Sequence, residues 1–480
     1  MKVFWDIPES EKHNACFLRM VDICSHNAGF FRSEKPEAGL IHLKIEDRPE
    51  GSPPVQLKNG MVILSQNYLK KMMQILECRN TFSRAENADP FADPVVDEWV
   101  RDTAQAVRQC ALNSKQPLLI KQPWPENKPF AAAITHDVDL TRKYGAKGLL
   151  KSALAGNGKR LLQTAAALFS GDNPYWNFTE LLQFHRRKNR KATFFFLARE
   201  WEGSSYRYNV DSKSFRDLLK ALGADGHEAA LHTSKEAFQF PRRIGNEFRR
   251  LSKAAGADIK GVRQHYLKLE FPRAWKRFEQ EGFFYDSSCG FNNIMGFRAG
   301  SSLPYQPFDI QKNEVYQIYE APLIVMEYAL LESAGSMERK LEKFKAVADK
   351  TKKTAGLLNL LWHPSNLAEP LFRPYWDEMM QWLDGQTVHT GTLNDLVEWR
   401  RCREQVQLSG FRAGEEVLEF ILSSGCPVDG LSFHLLLEND KHVTAESAEV
   451  KKFDERQWLI TCPHLQSGQN RVMLNLQNNA

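Results

Sequence analysis

Two carboxylates, Asp137 and Asp139, stand two residues apart directly after the apolar run Phe130–Thr135. In an extended strand side chains alternate with a period of two, so this spacing lets both carboxylates reach one site. Paired carboxylates suit either a bound metal ion or acid–base chemistry. Three later apolar runs end in the same manner: Gly226-His227-Glu228-Ala229-Ala230-Leu231-His232, Gly261-Val262-Arg263-Gln264-His265-Tyr266 and Leu360-Leu361-Trp362-His363. A lone histidine beside an apolar run is ordinarily a satisfied core or turn residue, and that is the reading for His185, His227 and His389. Polar ligand types recurring at the downstream ends of successive strands are another matter, because barrel enzymes assemble their sites there. A competing reading makes Asp137 and Asp139 an Asp-rich turn capping the next helix, and the convergence of His136 and the other strand ends with them speaks against it.

The elements that must position these residues follow a rhythm. From Phe130 onward, strand candidates (Phe130–Thr135, Ala192–Leu197, His227–Leu231, Gly261–Arg263, Tyr316–Val325, Leu357–Trp362, Thr387–Val388) alternate with amphipathic helices at Ser214–Leu222, Arg243–Ala254, Arg273–Gly282, Ser336–Lys352 and Glu369–Leu383. Alternation over this length predicts a parallel sheet closed as a (β/α) barrel, typically ~250 residues. Before it, helix-like runs at Gln66–Leu76 and Val95–Leu112 predict an α+β segment, which a proline-punctuated linker at Pro123–Asn127 closes. After Arg403 short alternating strands take over: Val417–Leu422, Leu431–Leu437, Gln457–Thr461 and Arg471–Leu476. The expected domains are therefore an α+β domain at 1–125, a barrel at 126–404 and a small β-rich, sandwich-like domain at 405–480.

As a set, the motifs resemble the polysaccharide deacetylase superfamily, the NodB-homology domain of carbohydrate esterase family 4, from roughly Phe130 to Arg403. Thr135-His136-Asp137-Val138-Asp139 is similar to the first motif in its Asp-x-Asp form and His232-Thr233 to the start of the second. Arg263-Gln264-His265-Tyr266 is similar to the third. Tyr285-Asp286-Ser287-Ser288 with Gly296-Phe297-Arg298-Ala299-Gly300 is similar to the fourth, and Leu361-Trp362-His363 to the fifth. Ala192–Leu197 looks like the family's second barrel strand. The resemblance implies a distorted (β/α)7 barrel and a metal-dependent hydrolase that removes an N-acetyl group from an amino sugar of a polysaccharide, glycolipid or glycan precursor. By this resemblance Asp137 is the general base, Asp139 and His232 are metal ligands, His363 is the acid for the leaving amine, and Arg263 pairs with Asp137 to hold it ionised. Tyr266, Trp362 and Arg298 are expected to bind substrate, although packing of such aromatics against the barrel rim is an equal reading. An Asp/His donor set with an open position suits Zn2+, with Co2+ or Ni2+ as alternatives.

One departure matters. The family's second motif carries another histidine four residues after the first, and here that position is Glu236, preceded by Lys235. Either Glu236 ligates through oxygen or His265 enters the site. His265 is favoured, because imidazole beside Asp139 and His232 makes a nitrogen-rich set and Lys235 would oppose a cation beside Glu236. A lost metal site would leave a catalytically silent glycan-binding barrel. An amidase of the same barrel class acting on a small C–N substrate is a further alternative.

Charge is uneven. Residues 1–129 hold 17 basic and 17 acidic side chains, 130–404 hold 41 and 32, and 405–480 hold 6 and 10. The basic excess of the middle segment favours an anionic partner, a phosphate-bearing substrate or an anionic membrane surface, and the carbohydrate expected as substrate is phosphate- or lipid-linked. Thr141–Gly171 holds six basic and no acidic residues among leucines, which reads as a solvated helix face or as peripheral membrane contact. Nucleic acid is not expected, since aromatic RNA-binding signatures, zinc-finger spacing and a basic zipper are all absent. Gly-x-Ser-x-Gly and phosphate-loop patterns are absent as well. Eight scattered cysteines without a C-x-x-C pair predict reduced, mostly buried thiols and no disulfide framework. No apolar run approaches the ~18 residues of a membrane span, and the N-terminus lacks a secretory apolar stretch, so a cytoplasmic protein is expected. Oligomeric state is not legible.

Overall fold

A computed structural model describes residues 2–37, 40–79, 81–115, 117–143, 173–199, 208–237, 239–437, 441–454 and 456–478. Most of the basic stretch Thr141–Gly171 lies outside the described residues. The central unit is a curled parallel sheet of strands β1 (Ala131–Val138), β2 (Ala192–Leu197), β3 (Glu228–Thr233), β4 (Gly261–Gln264), β5 (Tyr285–Asp286), β6 (Tyr319–Glu320), β7 (Val325–Met326) and β8 (Leu357–Leu361). Their order is β6-β5-β4-β3-β2-β1-β8-β7, every pairing parallel. β6 and β7 follow each other in the chain yet stand at opposite ends of this order, so the sheet comes almost full circle. Among the described residues no ladder joins them.

The strand expected at Tyr316–Val325 is thus two short ones with different neighbours. The crossing residues hold to the wall by single bonds, Ala321 N to Asp286 O at 2.8 Å and Ile324 N to Asn359 O at 3.2 Å. Counting β6 and β7 as one broken strand gives the distorted (β/α)7 barrel. The wall strands read as unbroken apolar runs because a parallel sheet under a helix layer is covered on both faces, and every residue of β1, β2 and β8 is buried. The helices cover the outside by period. Lys213–Ala224 buries Phe215, Leu218, Leu219 and Leu222, the i, i+3, i+4, i+7 face of a helix.

The N-terminal segment forms a five-stranded sheet (Val3–Asp6, Arg32–Ser33, Ile41–Glu46, Val55–Lys58, Met61–Ser65) with helices Ala15–Ala28, Gln66–Glu77 and Val95–Asn113. Two four-stranded antiparallel sheets follow the barrel and share a core containing Phe420, Phe433 and Trp458. One of their strands comes from before the barrel: Leu118–Lys121 pairs with Val428–Leu436. Arg403 knits this junction, donating to the carbonyls of Gln122, His26 and Lys121 at 2.5, 2.6 and 2.9 Å.

The cysteine expectation needs one correction. Cys402 and Cys426 are joined as a disulfide, with Cα atoms 5.8 Å apart. Nothing in a 24-residue separation announces such a pair; the end of helix Leu393–Gln405 meets the turn before Val428–Leu436 only in the folded chain. The other six cysteines are free and buried.

Candidate metal centre and its surroundings

The downstream ends of β1, β3, β4, β7 and β8 converge on a mouth of about 370 Å3, lined among others by Asp137, Asp139, His232, His265, Tyr266 and His363. The period of two sorts β1 as expected. Thr135 and Asp137 face inward, where one Arg263 nitrogen donates to Thr135 Oγ1 at 2.9 Å and to Asp137 Oδ1 at 2.8 Å. His136 faces outward and does not join the carboxylates. Its Nδ1 donates to the Trp362 carbonyl at 2.8 Å, and its ring packs among His185, Phe194 and Trp376.

Asp139 is the hub. Its Oδ1 lies 3.3 Å from His232 Nε2, and its Oδ2 lies 3.3 Å from His265 Nε2 and 3.6 Å from His363 Nε2. Asp139, His232 and His265 each offer one ligand atom, all within 4.8 Å of one another. Asp139 Oδ1 is buried without a well-formed hydrogen bond. His232 Nδ1 sits 2.9 Å from the Arg263 carbonyl. A carbonyl can only accept, so Nδ1 carries a hydrogen and Nε2 is the nitrogen turned toward Asp139; burial opposes a charged ring, but Asp137 and Asp139 raise its pKa. One carboxylate oxygen and two imidazole nitrogens, two of the three residues buried, fit a divalent ion of the zinc type.

Charge in the mouth is organised by burial and partners. Burial opposes the charge of Asp137, but Arg263 at 2.8 Å together with His232 and His363 outweighs it and holds the carboxyl below its usual range. Burial likewise opposes ionised Asp139, and His232 and His265 hold its carboxyl well below that range. On His363 burial disfavours the proton, yet Glu327, Asp139 and Asp137 together lift its pKa to about 10. Glu327 Oε1 contacts His363 Nδ1, accepts from the His363 backbone N at 3.0 Å and accepts from Asn366 Nδ2 at 2.8 Å.

The expected residues divide cleanly. Asp137, Asp139, His232, Arg263, His265 and His363 come together. Tyr266 stands at the rim, 52% exposed, its ring parallel to His265 at 4.2 Å. Glu236 turns away, its Oε2 3.0 Å from Arg199. Trp362 is buried against Trp376 and Phe372, outside the mouth lining. Arg298 is buried elsewhere, donating to Thr81 Oγ1 and to the carbonyls of Thr81 and Gly290 at 3.0, 2.8 and 3.1 Å; it clamps the N-terminal segment to the barrel. Glu327 and Tyr328 escaped the sequence reading. Both directly follow β7, so the strand-end argument applied to a correctly divided Tyr316–Val325 would have reached them.

No protein-family model matches the chain, and no curated protein matches it. Solved structures do. A Mycobacterium smegmatis protein described as a polysaccharide deacetylase is 19% identical, with 61% of this chain and 96% of that one covered and a TM-score of 0.40. An allantoinase is 14% identical over 58% of this chain and 92% of that one, with a TM-score of 0.40. A Pseudomonas aeruginosa protein described as a polysaccharide deacetylase is 15% identical over 58% and 94%, with a TM-score of 0.39.

Proposed function

We propose that the chain is a metal-dependent carbohydrate N-deacetylase, a hydrolase of a non-peptide carbon–nitrogen bond acting on an N-acetylated amino sugar. One observation carries this reading. A three-donor cluster, a buried carboxylate paired with arginine and a carboxylate-backed histidine all face the same mouth, with Asp139 within 3.6 Å of His232, His265 and His363. Amide hydrolysis requires carbonyl polarisation, a base for the attacking water and an acid for the leaving amine: an ion held by the three donors would meet the first need, Asp137 the second and His363 the third.

Asp139, His232 and His265 would hold the ion, Zn2+ by donor type, with Co2+ and Ni2+ accepting the same donors. Such an ion supplies Lewis acidity, polarising an amide carbonyl and making water a competent nucleophile near neutral pH. Asp137, kept ionised by Arg263, takes the proton from the attacking water. Nδ1 of His363 is committed to Glu327, so its Nε2 faces the mouth and delivers a proton to the departing amine. Tyr266 and Tyr328, 52% and 41% exposed at the rim, offer faces for a sugar ring. The basic excess of residues 130–404 favours a phosphate- or lipid-linked glycan as substrate.

The experiment measures metal content of the purified protein and acetate released from N-acetylglucosamine oligomers and from small amides. About one equivalent of metal, lost with activity in Asp139→Ala, supports the deacetylase. Folded protein that is metal-free and cannot be reconstituted leaves a silent glycan-binding barrel. Turnover of small amides alone leaves an amidase.

A further inference from the structure

Within residues 126–404 five large hydrophobic side chains are exposed among the described residues, and all five follow a wall strand: Leu140 after β1, Phe240 after β3, Tyr266 after β4, Tyr328 after β7 and Leu371 after β8. Every wall pairing is parallel, so the five stand at one end of the barrel, the end that holds the mouth. The opposite end exposes none among the described residues. Single exposed apolar side chains are ordinary on any surface, whereas a set confined to the loops around one opening marks an interaction face. A sixth comes from the N-terminal segment. Phe82 is 75% exposed, and the carbonyl of its neighbour Ser83 accepts from Asn292 N at 2.7 Å. Asn292 lines the mouth and donates its side-chain amide to the Tyr266 carbonyl at 2.7 Å. Leu371 is tied to the same rim through its neighbour Phe372, whose ring lies 5.5 Å from that of Tyr328.

Two of these loops are also basic. Lys235 and Arg242 follow β3 and Lys268 follows β4; all three are exposed, and none forms an ion pair among the described residues. The acidic side chains of the same two loops are already taken, Glu236 by Arg199 at 3.0 Å and Glu270 by Arg273 at 3.4 Å. Lys235 Nζ lies 5.9 Å from the centre of the Tyr266 ring, and the Arg243 guanidinium lies 4.5 Å from that of Phe240. Each exposed aromatic of these loops thus has a cation beside it. An apolar body with a charged head next to it suits the boundary between acyl chains and headgroups.

We propose that this rim docks the protein on an anionic lipid bilayer, the apolar tips entering the interface, Lys235, Arg242 and Lys268 meeting lipid phosphates, and the mouth opening onto the headgroups. The core of a protein–protein interface is a packed patch depleted of charge. Here the tips stand on separate loops around an opening, with cations beside them, and a fluid headgroup layer fills such gaps where a rigid partner would leave them empty. The negative potential of an anionic leaflet complements the unpaired cations. The docking face stands on the rim alone and does not rest on the deacetylase reading.

The test is co-sedimentation of the full-length protein with two kinds of vesicle, phosphatidylcholine alone and equal parts phosphatidylcholine and phosphatidylglycerol. Binding to the anionic vesicles is expected to be at least about tenfold tighter than to the neutral ones and to weaken as salt is added. Phe82→Ser, Phe240→Ser and Leu371→Ser combined are expected to weaken anionic-vesicle binding at least about tenfold. Lys235→Gln, Arg242→Gln and Lys268→Gln combined are expected to do the same. All six side chains are exposed, so the melting temperature without lipid is expected to be unchanged in both variants. Absence of binding to anionic vesicles overturns the proposal. So does equal affinity for neutral vesicles, or unaltered binding in either variant. A dimer that the apolar variant dissociates, in a protein that binds no vesicles, assigns the face to a second copy of the chain and overturns it equally.

Discussion

Asp137 Oδ1 lies 2.8 Å from an Arg263 nitrogen, with the two side chains 4% and 0% exposed. The guanidinium is itself locked, donating to Thr135 Oγ1, to the Ser287 carbonyl and to Ser287 Oγ, and lying 4.2 Å from the centre of the Phe195 ring. Such a pair does more for function than for stability, because desolvating both charges consumes most of their attraction, whereas removing one partner leaves the other charge stranded. Arg263→Met is therefore expected to cost about 3–5 kcal/mol in chemical denaturation. It should also lift the Asp137 carboxyl, moving the acidic limb of the pH–rate profile to higher pH. Asp137→Asn, nearly isosteric, should keep the fold and reduce turnover by about 10²–10⁴-fold; unchanged turnover would remove Asp137 as the base.

Metal stoichiometry separates the two candidates for third ligand. His265→Ala, like Asp139→Ala and His232→Ala, is expected to lower bound zinc well below one equivalent by emission spectrometry. Glu236→Ala should leave it unchanged, since Glu236 is paired with Arg199 away from the cluster. The reverse pattern would restore the oxygen ligand.

Glu327 holds His363 from behind and is the largest favourable contribution to its raised pKa. Glu327→Gln keeps a hydrogen-bond acceptor but loses the charge. The His363 pKa should fall by at least one unit, which corresponds to about 1.4 kcal/mol. The readout is the basic limb of the pH–rate profile, expected to move to lower pH with KM little changed. A uniform drop in rate without a shifted limb would mean that Glu327 only supports the loop.

Asp97 predicts a pH-dependent stability far from the mouth. It is buried on helix Val95–Asn113 and accepts from Ser301 Oγ, Ser302 N and Ser302 Oγ at 2.5, 2.8 and 2.9 Å, joining the N-terminal segment to the barrel. Burial pushes its pKa up from 3.8 to about 6. A carboxyl raised on folding favours the native state while protonated. Its contribution is complete below the unfolded pKa and is lost as pH rises through about 6. Two pKa units amount to about 3 kcal/mol. Denaturation midpoints of Asp97→Asn measured between pH 4 and 7 should therefore fall less steeply with pH than those of the unsubstituted protein, and parallel slopes would contradict the assignment.

Much of this was legible in the chain. β2 stands at Ala192–Leu197 as expected, and the helix expected at Arg243–Ala254 is found at Pro241–Ala255. Long apolar runs and wide amphipathic faces are strong local signals because burial on one or both faces dictates their period. The weak places were those where pairing partners are remote. The segment Tyr316–Val325 has strand composition throughout, and only its contacts with β5 on one side and β8 on the other divide it.

Sequence by itself determined the strand-helix rhythm, the types of group delivered to successive strand ends and the spacing that lets Asp137 and Asp139 reach one site, because period and residue chemistry are local properties. Tertiary structure decided the rest. It turned Glu236 to Arg199, buried Trp362 and Arg298 outside the mouth, brought Glu327 behind His363, and drew Leu118–Lys121 into a sheet completed some 300 residues later. Each depends on which surfaces meet across long loops, and an imidazole or carboxylate has the same identity in the sequence whether it faces a metal site, an arginine or a carbonyl.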